Sequence, residues 1–417
     1  MKTKKPKYFA VTGNPVLHSR SPQLFNSAYP DHPHWHYSRL SAKNAREAIE
    51  IFEKLNLTGM NITSPFKSEI LPFVNDLSPD AEKISAVNTI IRNNNSTFGY
   101  NTDINGVEKT LSMYFPAMLG QRCLILGAGN SAKASALAVM KLGGQAAFIA
   151  RSVVKAVSAA DKIGCEIYPS HEINKHLENA DLLISTIPPS SKIFNMINLP
   201  KHITVFDAVY HNSRIESLAK ENGCRYISGK EWLMHQAIPA FRLFTEEEPH
   251  TENMQNTLQF SGIRKNSIAL TGMMGSGKST AGKLLAKELG YEFTDLDKHI
   301  EKLAGRSIPD IFNNDGESRF RELEENALAD LRKAKNTVIA CGGGAILSAK
   351  NKSILKNFHT IWLHSSPEIC YARIAKSDRP LIYKRGIEKF KSYMTIGSKN
   401  ISQLRTLSFL LKIPPEL

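Results

Sequence analysis

Eight residues beginning at Gly272, Gly-Met-Met-Gly-Ser-Gly-Lys-Ser279, have the spacing G-x-x-x-x-G-K-S of a loop that wraps a phosphate chain. Glycines at 272, 275 and 277 keep side chains out of the loop, so backbone N–H groups can face the anion. In such a loop Lys278 reaches the β- and γ-phosphates of a nucleotide and Ser279 holds Mg²⁺. Ile268 to Leu270 read as the strand that feeds it, and the following helix is expected to turn Ala281, Leu284, Leu285 and Leu289 to the core. The positive end of that helix adds to phosphate binding.

Four polar clusters precede residue 104. Ser19 and Ser21 lie two apart, and an extended backbone would turn both hydroxyls to one side, where they could share a carboxylate. In Gly59-Met-Asn-Ile-Thr-Ser-Pro-Phe-Lys67, alternation puts Asn61 and Thr63 on one face and Met60 and Ile62 on the other. Lys67 follows at a strand-to-helix turn, where partial burial lowers a lysine's pKa and suits it to acid–base work. Ser85 to Ile90 and Phe98 to Asp103 read as two more strand ends, bearing Asn88 and Asp103. Strand ends rich in polar groups are what a site beyond the carboxyl edge of an α/β sheet requires.

Between these regions, Gly127-Ala128-Gly129-Asn130-Ser131-Ala132 follows a strand from Arg122 and opens a helix with Ala134, Leu137, Ala138 and Leu142 inward. A second strand, Ala146 to Ala150, completes a β-α-β dinucleotide unit. Its end carries Arg151, Ser152 and Lys155 where an acid would favour NAD, so the cations point to the 2′-phosphate of NADP. Strands at Asp181–Ile187 and Val205–Tyr210 continue that domain, while 245–263 lacks apolar periodicity and reads as linker.

Beyond the phosphate loop, Tyr291 to Asp297 reads as a strand ending in two acids on one face. One suits the Mg²⁺ shell, the other a hydroxyl aligned for attack on the γ-phosphate. Arg321 and Glu324 sit one helical turn apart, a carboxylate clamp with its orienting acid. Val338 to Ala345 is a strand opening into a glycine nest, and Arg379 is a mobile cation able to close over ATP.

Composition bounds the rest. In 417 residues, 42% hydrophobic and 22% charged, there is material for two or three ordinary domains. No apolar run approaches the ~20 residues of a membrane span and no hydrophobic signal segment follows Lys7, so a cytoplasmic protein without membrane partners is expected. Five cysteines without C-x-x-C spacing argue against zinc or a disulfide framework. The net charge of +14 lies partly at Lys2–Lys7 and beyond Lys384, without any nucleic-acid module, and anionic small substrates account for a basic field equally well.

On these residues the first 248 positions resemble the shikimate dehydrogenase family. The resemblance places Ser19, Ser21, Thr63, Asn88 and Asp103 on substrate-binding positions, Asn61 in the same motif, and Lys67 on the catalytic lysine, with Asp103 as its partner. It also implies that Tyr210 and Gln236 touch substrate, that Gly229 lies near the nicotinamide, and that Gly127 to Ser131 hold the dinucleotide. NADP-dependent members carry Asn-Arg-Thr where this chain has Ala150-Arg151-Ser152, and usually Met where it has Trp232. From the phosphate loop through Arg379 the chain is similar to the shikimate kinase family. Asp297, Arg321 and Gly343 then fall on shikimate-binding positions, with Asp297 catalytic. Gly275, Ser276, Gly277, Lys278, Ser279 and Thr280 fall on ATP, Ser279 on Mg²⁺, Arg379 on the lid arginine, and Asp295 is a further metal-shell candidate. The motif resemblance stops near Tyr383; the tail from Lys384 shows no second substrate arginine, although Lys399 and Arg405 are in range.

The resemblance implies an α/β fold throughout: a substrate domain (1–115), a Rossmann NADP-binding domain with a closing helix (116–248), a linker (249–263) and a P-loop kinase domain with a parallel sheet (264–417). It implies reduction of 3-dehydroshikimate with NADPH and 3-phosphorylation of shikimate with ATP and Mg²⁺. A dehydrogenase with a weak or inactive kinase, or a shikimate-sensing regulator, are the other readings these residues leave open. The residues leave oligomeric state undecided.

Overall fold

The computed structural model describes residues 6–16, 19–32, 34–94, 96–210, 212–259, 267–365, 367–375 and 407–412. By internal contacts the chain gathers into two compact units: Met1–Pro22, Asp31–Lys43 and Ser261–Leu417 form one, Gln23–Pro30 and Asn44–Phe260 the other.

The chain opens with β1 (Lys7–Gly13), α1 (Ser21–Ala28), β2 (Trp35–Ser41) and α2 (Ala45–Lys54). β1 and β2 pair in parallel, Lys7 beside Trp35 through Gly13 beside Ser41. Ser21 is the first residue of a helix rather than part of an extended run. The two serine hydroxyls still meet, because a helix entry closes the chain as tightly as a strand would spread it.

In the second unit follow β3 (Gly59–Ile62), α3 (Phe66–Glu69), β4 (Asp76–Leu77), α4 (Pro79–Ile84), β5 (Thr89–Asn93), β6 (Ser96–Tyr100) and α5 (Thr102–Tyr114). β5 runs antiparallel to both β3 and β6, with Asn61 beside Thr89 and Thr89 beside Tyr100. The polar clusters are therefore not three strand ends of a parallel sheet. The end of β3, the start of β5 and the end of β6 converge because antiparallel pairing puts a start next to an end.

From residue 122 strands and helices alternate: β7 (Arg122–Leu126), α6 (Asn130–Lys141), β8 (Gln145–Ala150), α7 (Val153–Ile163), β9 (Glu166–Pro169), α8 (Ile173–Leu177), β10 (Leu182–Ser185), β11 (Thr204–Asp207), α9 (Arg214–Glu221) and β12 (Arg225–Ile227). The sheet order is β12-β11-β10-β7-β8-β9. Its strands are apolar on both faces for a reason: Cys123, Ile125 and Ile184 enter one core cluster while Leu124, Leu126 and Leu183 enter the other. The order reverses between β7 and β10, the position at which open α/β sheets take their ligands.

The segment then closes with α10 (Gly229–Thr245) and α11 (Thr251–Gln259). α11 occupies most of what the sequence presents as linker. It buries Met254 and Leu258, one turn apart, and two anchors are too few to register as an apolar period.

The remaining elements of the first unit are β13 (Ile268–Thr271), α12 (Lys278–Leu289), β14 (Glu292–Asp295), α13 (Leu296–Ala304), α14 (Ile308–Asp330), β15 (Thr337–Ala340), α15 (Ala349–Leu355), β16 (His359–His364), α16 (Pro367–Ala375) and β17 (Leu407–Lys412). β14, β15, β13, β16 and β17 lie side by side in that order, all parallel, and β17 meets β2 at Leu410 and Leu40. α12 turns a different face inward than expected: Gly282 and Ala286 are buried, while Leu284 and Leu289 are 51% and 45% exposed. Close approach decides this, since a Cβ on Gly282 would lie 2.5 Å from the Phe293 ring. Asp297 belongs to the first turn of α13, not to the strand, because Asp295 ends β14 and caps the helix.

Candidate active sites

Lys67 stands on α3 directly after β3. Its Nζ lies 2.5 Å from Asp103 Oδ2, and the two side chains are 13% and 10% exposed. Asp103 is held in the first turn of α5, where its backbone N–H donates to the Asn101 side chain, and the Asn101 amide donates to Ala86 O at 2.9 Å. Asn88 Oδ1 accepts from Thr102 N at 2.8 Å and from Thr89 Oγ at 2.9 Å, while its amide faces Gln236 Oε1 at 3.5 Å. Asn61 Nδ2 donates to Thr89 Oγ at 3.0 Å. Gln236 reaches this network from α10, which packs on α5 so closely that a Cβ on Gly106 would sit 2.8 Å from Gln236 Cβ. The structure thus pairs Lys67 with Asp103, and joins Asn61, Asn88 and Gln236 in one hydrogen-bonded network. Thr89 and Thr102 join them unforeseen, and the signal was present: Asn-Thr occurs at 88–89 and again at 101–102, the two facing strand ends.

In the other unit Ser19 Oγ lies 3.2 Å from Ser21 Oγ, and both residues are buried. Arg39 holds the turn by donating from Nε to Ser19 O at 2.9 Å. Thr63 and Tyr210, in the same unit as Lys67, are half-buried just past β3 and β11.

At the dinucleotide loop Gly127 has φ +102°, and a Cβ on Gly129 would meet nothing within 4 Å, so the loop leaves room over α6. Gly129 caps α6 without any side-chain bond, which leaves the N–H groups of its first turn, from Asn130 and Ser131 onward, for an anion. These features fit a pyrophosphate. Arg151 and Lys155 are exposed just past β8, and Ser152 caps α7 by accepting from Lys155 N at 3.4 Å, an arrangement open to a 2′-phosphate. Gly229 begins α10 where no side chain would fit, since a Cβ would lie 2.8 Å from Asp207 O and Val209 O. Trp232 is buried against Phe206, in the core of this half.

At the phosphate loop Gly272, Gly275 and Gly277 all have positive φ, and a Cβ on Gly275 would lie 2.4 Å from Cys370 O. Lys278 Nζ donates to Gly272 O at 2.9 Å and Met273 O at 2.8 Å, which curls it over the loop. Ser276 Oγ is buried without a hydrogen-bond partner, and Gly277 caps α12 with no side chain, so Ser279, Thr280 and their neighbours present N–H groups that fit a phosphate. Ser279 Oγ donates to Asp295 Oδ2 at 2.7 Å, a hard-oxygen pair of the kind Mg²⁺ takes. Asp295 and Asp297 therefore divide. Asp295 faces Ser279, whereas Asp297 shares a space with Glu324, each within about 3 Å of where a Gly342 Cβ would stand.

Arg321 Nη1 donates to Glu324 Oε2 at 2.9 Å and Nη2 to Glu317 Oε1 at 3.1 Å. Glu324 is 1% exposed, and burial pushes its carboxyl above the usual glutamate range, against the pull of Arg321 and with the help of Asp297. Its Oε1 is buried with no hydrogen-bond partner. Gly344 must lack a side chain, because a Cβ would lie 2.4 Å from Arg321 Nη1, and Gly343 stands 3.5 Å from Met274 on the same measure. Cys341, just before this nest, is a buried thiol pushed up to about 12 by its burial and by Glu324. Arg379, Lys399 and Arg405 lie outside the described residues.

Two family descriptions match the chain: the shikimate dehydrogenase substrate binding domain over residues 11–90 and shikimate kinase over 274–406. A shikimate dehydrogenase (NADP(+)) of Dehalococcoides mccartyi is 33% identical over 268 residues, covering 60% of this chain and 93% of the relative. A shikimate kinase of Microcystis aeruginosa is 44% identical over 136 residues, 32% of this chain and 72% of the relative. The chain belongs to both families. Its larger part is a shikimate dehydrogenase and its C-terminal part a shikimate kinase, which makes it a bifunctional shikimate-pathway enzyme using NADP and ATP. The crystal structure of shikimate dehydrogenase from Aquifex aeolicus superposes with a TM-score of 0.58 at 28% identity, covering 62% of this chain and all of that one. The kinase match runs to residue 406, past Tyr383, where the motif resemblance stops. Among the described residues no helix is long and apolar enough to cross a membrane.

Proposed function

We propose that Lys67 and Asp103 carry the dehydrogenase reaction, and that Asp297, Arg321 and Lys278 carry the kinase reaction. The observation that bears most weight is the Lys67–Asp103 pair at 2.5 Å, both side chains largely buried. NADPH, when bound over Gly127 to Ser131 with its 2′-phosphate at Arg151, Ser152 and Lys155, supplies the hydride. Lys67 Nζ holds the proton that the ketone oxygen of 3-dehydroshikimate takes up, and Asp103 keeps that ammonium in place. Ser19, Ser21, Thr63 and Tyr210 contribute further substrate contacts, and Gly229 leaves room for the nicotinamide.

In the kinase half, MgATP supplies the phosphoryl group and the metal's positive charge. Lys278 and the backbone of Gly275 to Thr280 seat the phosphates, while Ser279 and Asp295 hold the metal. Arg321, kept in place by Glu324, binds the carboxylate of shikimate, Gly343 lies beside its ring, and Asp297 orients the 3-hydroxyl. Arg379 is proposed as the lid. The domain limits stated from the sequence (1–115, 116–248, 249–263 and 264–417) stand as part of this reading, with α11 inside the third. Five free cysteines suit a reducing, cytoplasmic setting. The partners are small molecules, without nucleic acid or membrane.

One assay tests the whole reading: the purified chain with 3-dehydroshikimate, NADPH and MgATP, following NADP⁺ and ADP together. Stoichiometric appearance of both is expected. NADPH oxidation with no ADP would leave the dehydrogenase standing alone, and neither product would end the assignment.

A further inference from the structure

The helix bearing Lys67 is tied to the dinucleotide loop through groups that the reaction itself does not use. Ser68 Oγ lies 2.8 Å from Asn130 Oδ1, at the start of α6, and 3.0 Å from Ser85 O, just past α4. The same seam is closed twice more: Lys133 of α6 donates to Ile84 O, and Lys162 of α7 donates to Ser85 Oγ. A serine hydroxyl has one proton, so Ser68 serves one of its two acceptors at a time. When the proton goes to Asn130 Oδ1, the amide of Asn130 is fixed with its NH₂ end free of Ser68, at the N-terminus of a helix whose cap leaves its N–H groups open. When it goes to Ser85 O, that orientation is lost.

We propose that Ser68 is a positioning residue for NADP binding: its hydroxyl fixes the Asn130 amide so that the NH₂ group donates to the cofactor pyrophosphate, and thereby couples the Lys67 helix to the cofactor loop. The inference rests on the assignment of Gly127 to Ser131 to NADP. A neutral hydrogen bond of this kind accounts for about fivefold in affinity. Asn130→Asp keeps the acceptor but replaces the NH₂ with a carboxylate oxygen, which would face the phosphates with a negative charge.

Calorimetric titration of the full chain with NADPH, and separately with shikimate, tests it. Ser68→Ala is expected to weaken NADPH about fivefold while leaving shikimate affinity unchanged, with Ser68→Thr recovering most of the loss. Asn130→Asp, which still accepts from Ser68, should weaken NADPH by more than tenfold. In Asn130→Ala the further change Ser68→Ala should cost nothing more. Unchanged NADPH affinity in Ser68→Ala or Asn130→Asp, additive losses in the double variant, or equal weakening of both ligands would overturn the proposal. If Ser68→Ala does not fold, Ser68→Thr and Asn130→Asp decide alone. A wild-type chain that fails to bind NADPH would instead remove the cofactor assignment beneath it.

Discussion

The two sites differ in how completely their polar groups are satisfied by the protein itself. In the dehydrogenase half the charges meet each other, Lys67 against Asp103 at 2.5 Å, and Asn88, Thr89, Thr102 and Gln236 are bonded into one network. In the kinase half Arg321 is paired with Glu324 and Ser279 with Asp295, yet some buried oxygens are left unsatisfied. Ser276 Oγ and Glu324 Oε1 are buried without hydrogen-bond partners, and Lys278 donates to the loop carbonyls of Gly272 and Met273. A proton transfer needs its donor poised before substrate arrives, so an internal ion pair serves it. A phosphoryl transfer needs positive charge and open N–H groups for an anion that the nucleotide brings, so a half-satisfied loop serves it.

The largest test of that contrast is chemical. Lys67→Ala should lower dehydrogenase turnover about 10³-fold, as loss of a general acid does, while ADP release with shikimate stays within twofold. Lys278→Ala should do the reverse, and a loss of both activities in either variant would break the separation. Stability sharpens it next. Asp103→Ala leaves a mostly buried ammonium unpaired and should cost roughly 3 kcal/mol in denaturant unfolding, whereas Ser276→Ala removes an oxygen that bonds nothing and should cost under about 0.5 kcal/mol. Equal costs would mean that the kinase loop is as internally satisfied as the dehydrogenase site.

Gly344→Ala should push Arg321 aside and raise the kinase KM for shikimate about tenfold, with the dehydrogenase KM untouched. The smallest effect concerns pH. Glu324 has a folded pKa above its ordinary value, so the folded chain binds this proton more tightly than the unfolded chain does. Its contribution to stability is therefore fully present below the ordinary glutamate range and is lost as pH rises through the folded value. Protonation also releases Arg321, so kinase kcat/KM should fall on acidification, by less than tenfold, along a limb that Glu324→Gln removes. A limb persisting in that variant would assign it to another group.

Much of this was legible in the linear order of residues. Local spacing alone specifies the phosphate loop, because its glycines and lysine act within eight residues, and the dinucleotide turn for the same reason. The pairing of Arg321 with Glu324 follows from helical pitch. Local spacing does not suffice where a partner distant in the chain decides. The inward face of α12 is set by the Phe293 ring against Gly282, not by its leucines. α11 depends on two anchors, Met254 and Leu258, that only a packed neighbour makes meaningful. Asp297 left the strand for a helix because Asp295 caps it.

By itself, then, the order of residues determined the two chemistries and the cofactors, since each motif is a short-range geometric device. Tertiary structure alone decided that the strand ends bearing Asn61, Asn88 and Asn101 would be neighbours, because antiparallel pairing sets the start of β5 between the ends of β3 and β6. It also decided that Ser68 would meet Asn130, 62 residues later, since no local rule relates a helix beside one sheet to the first turn of a helix beside another.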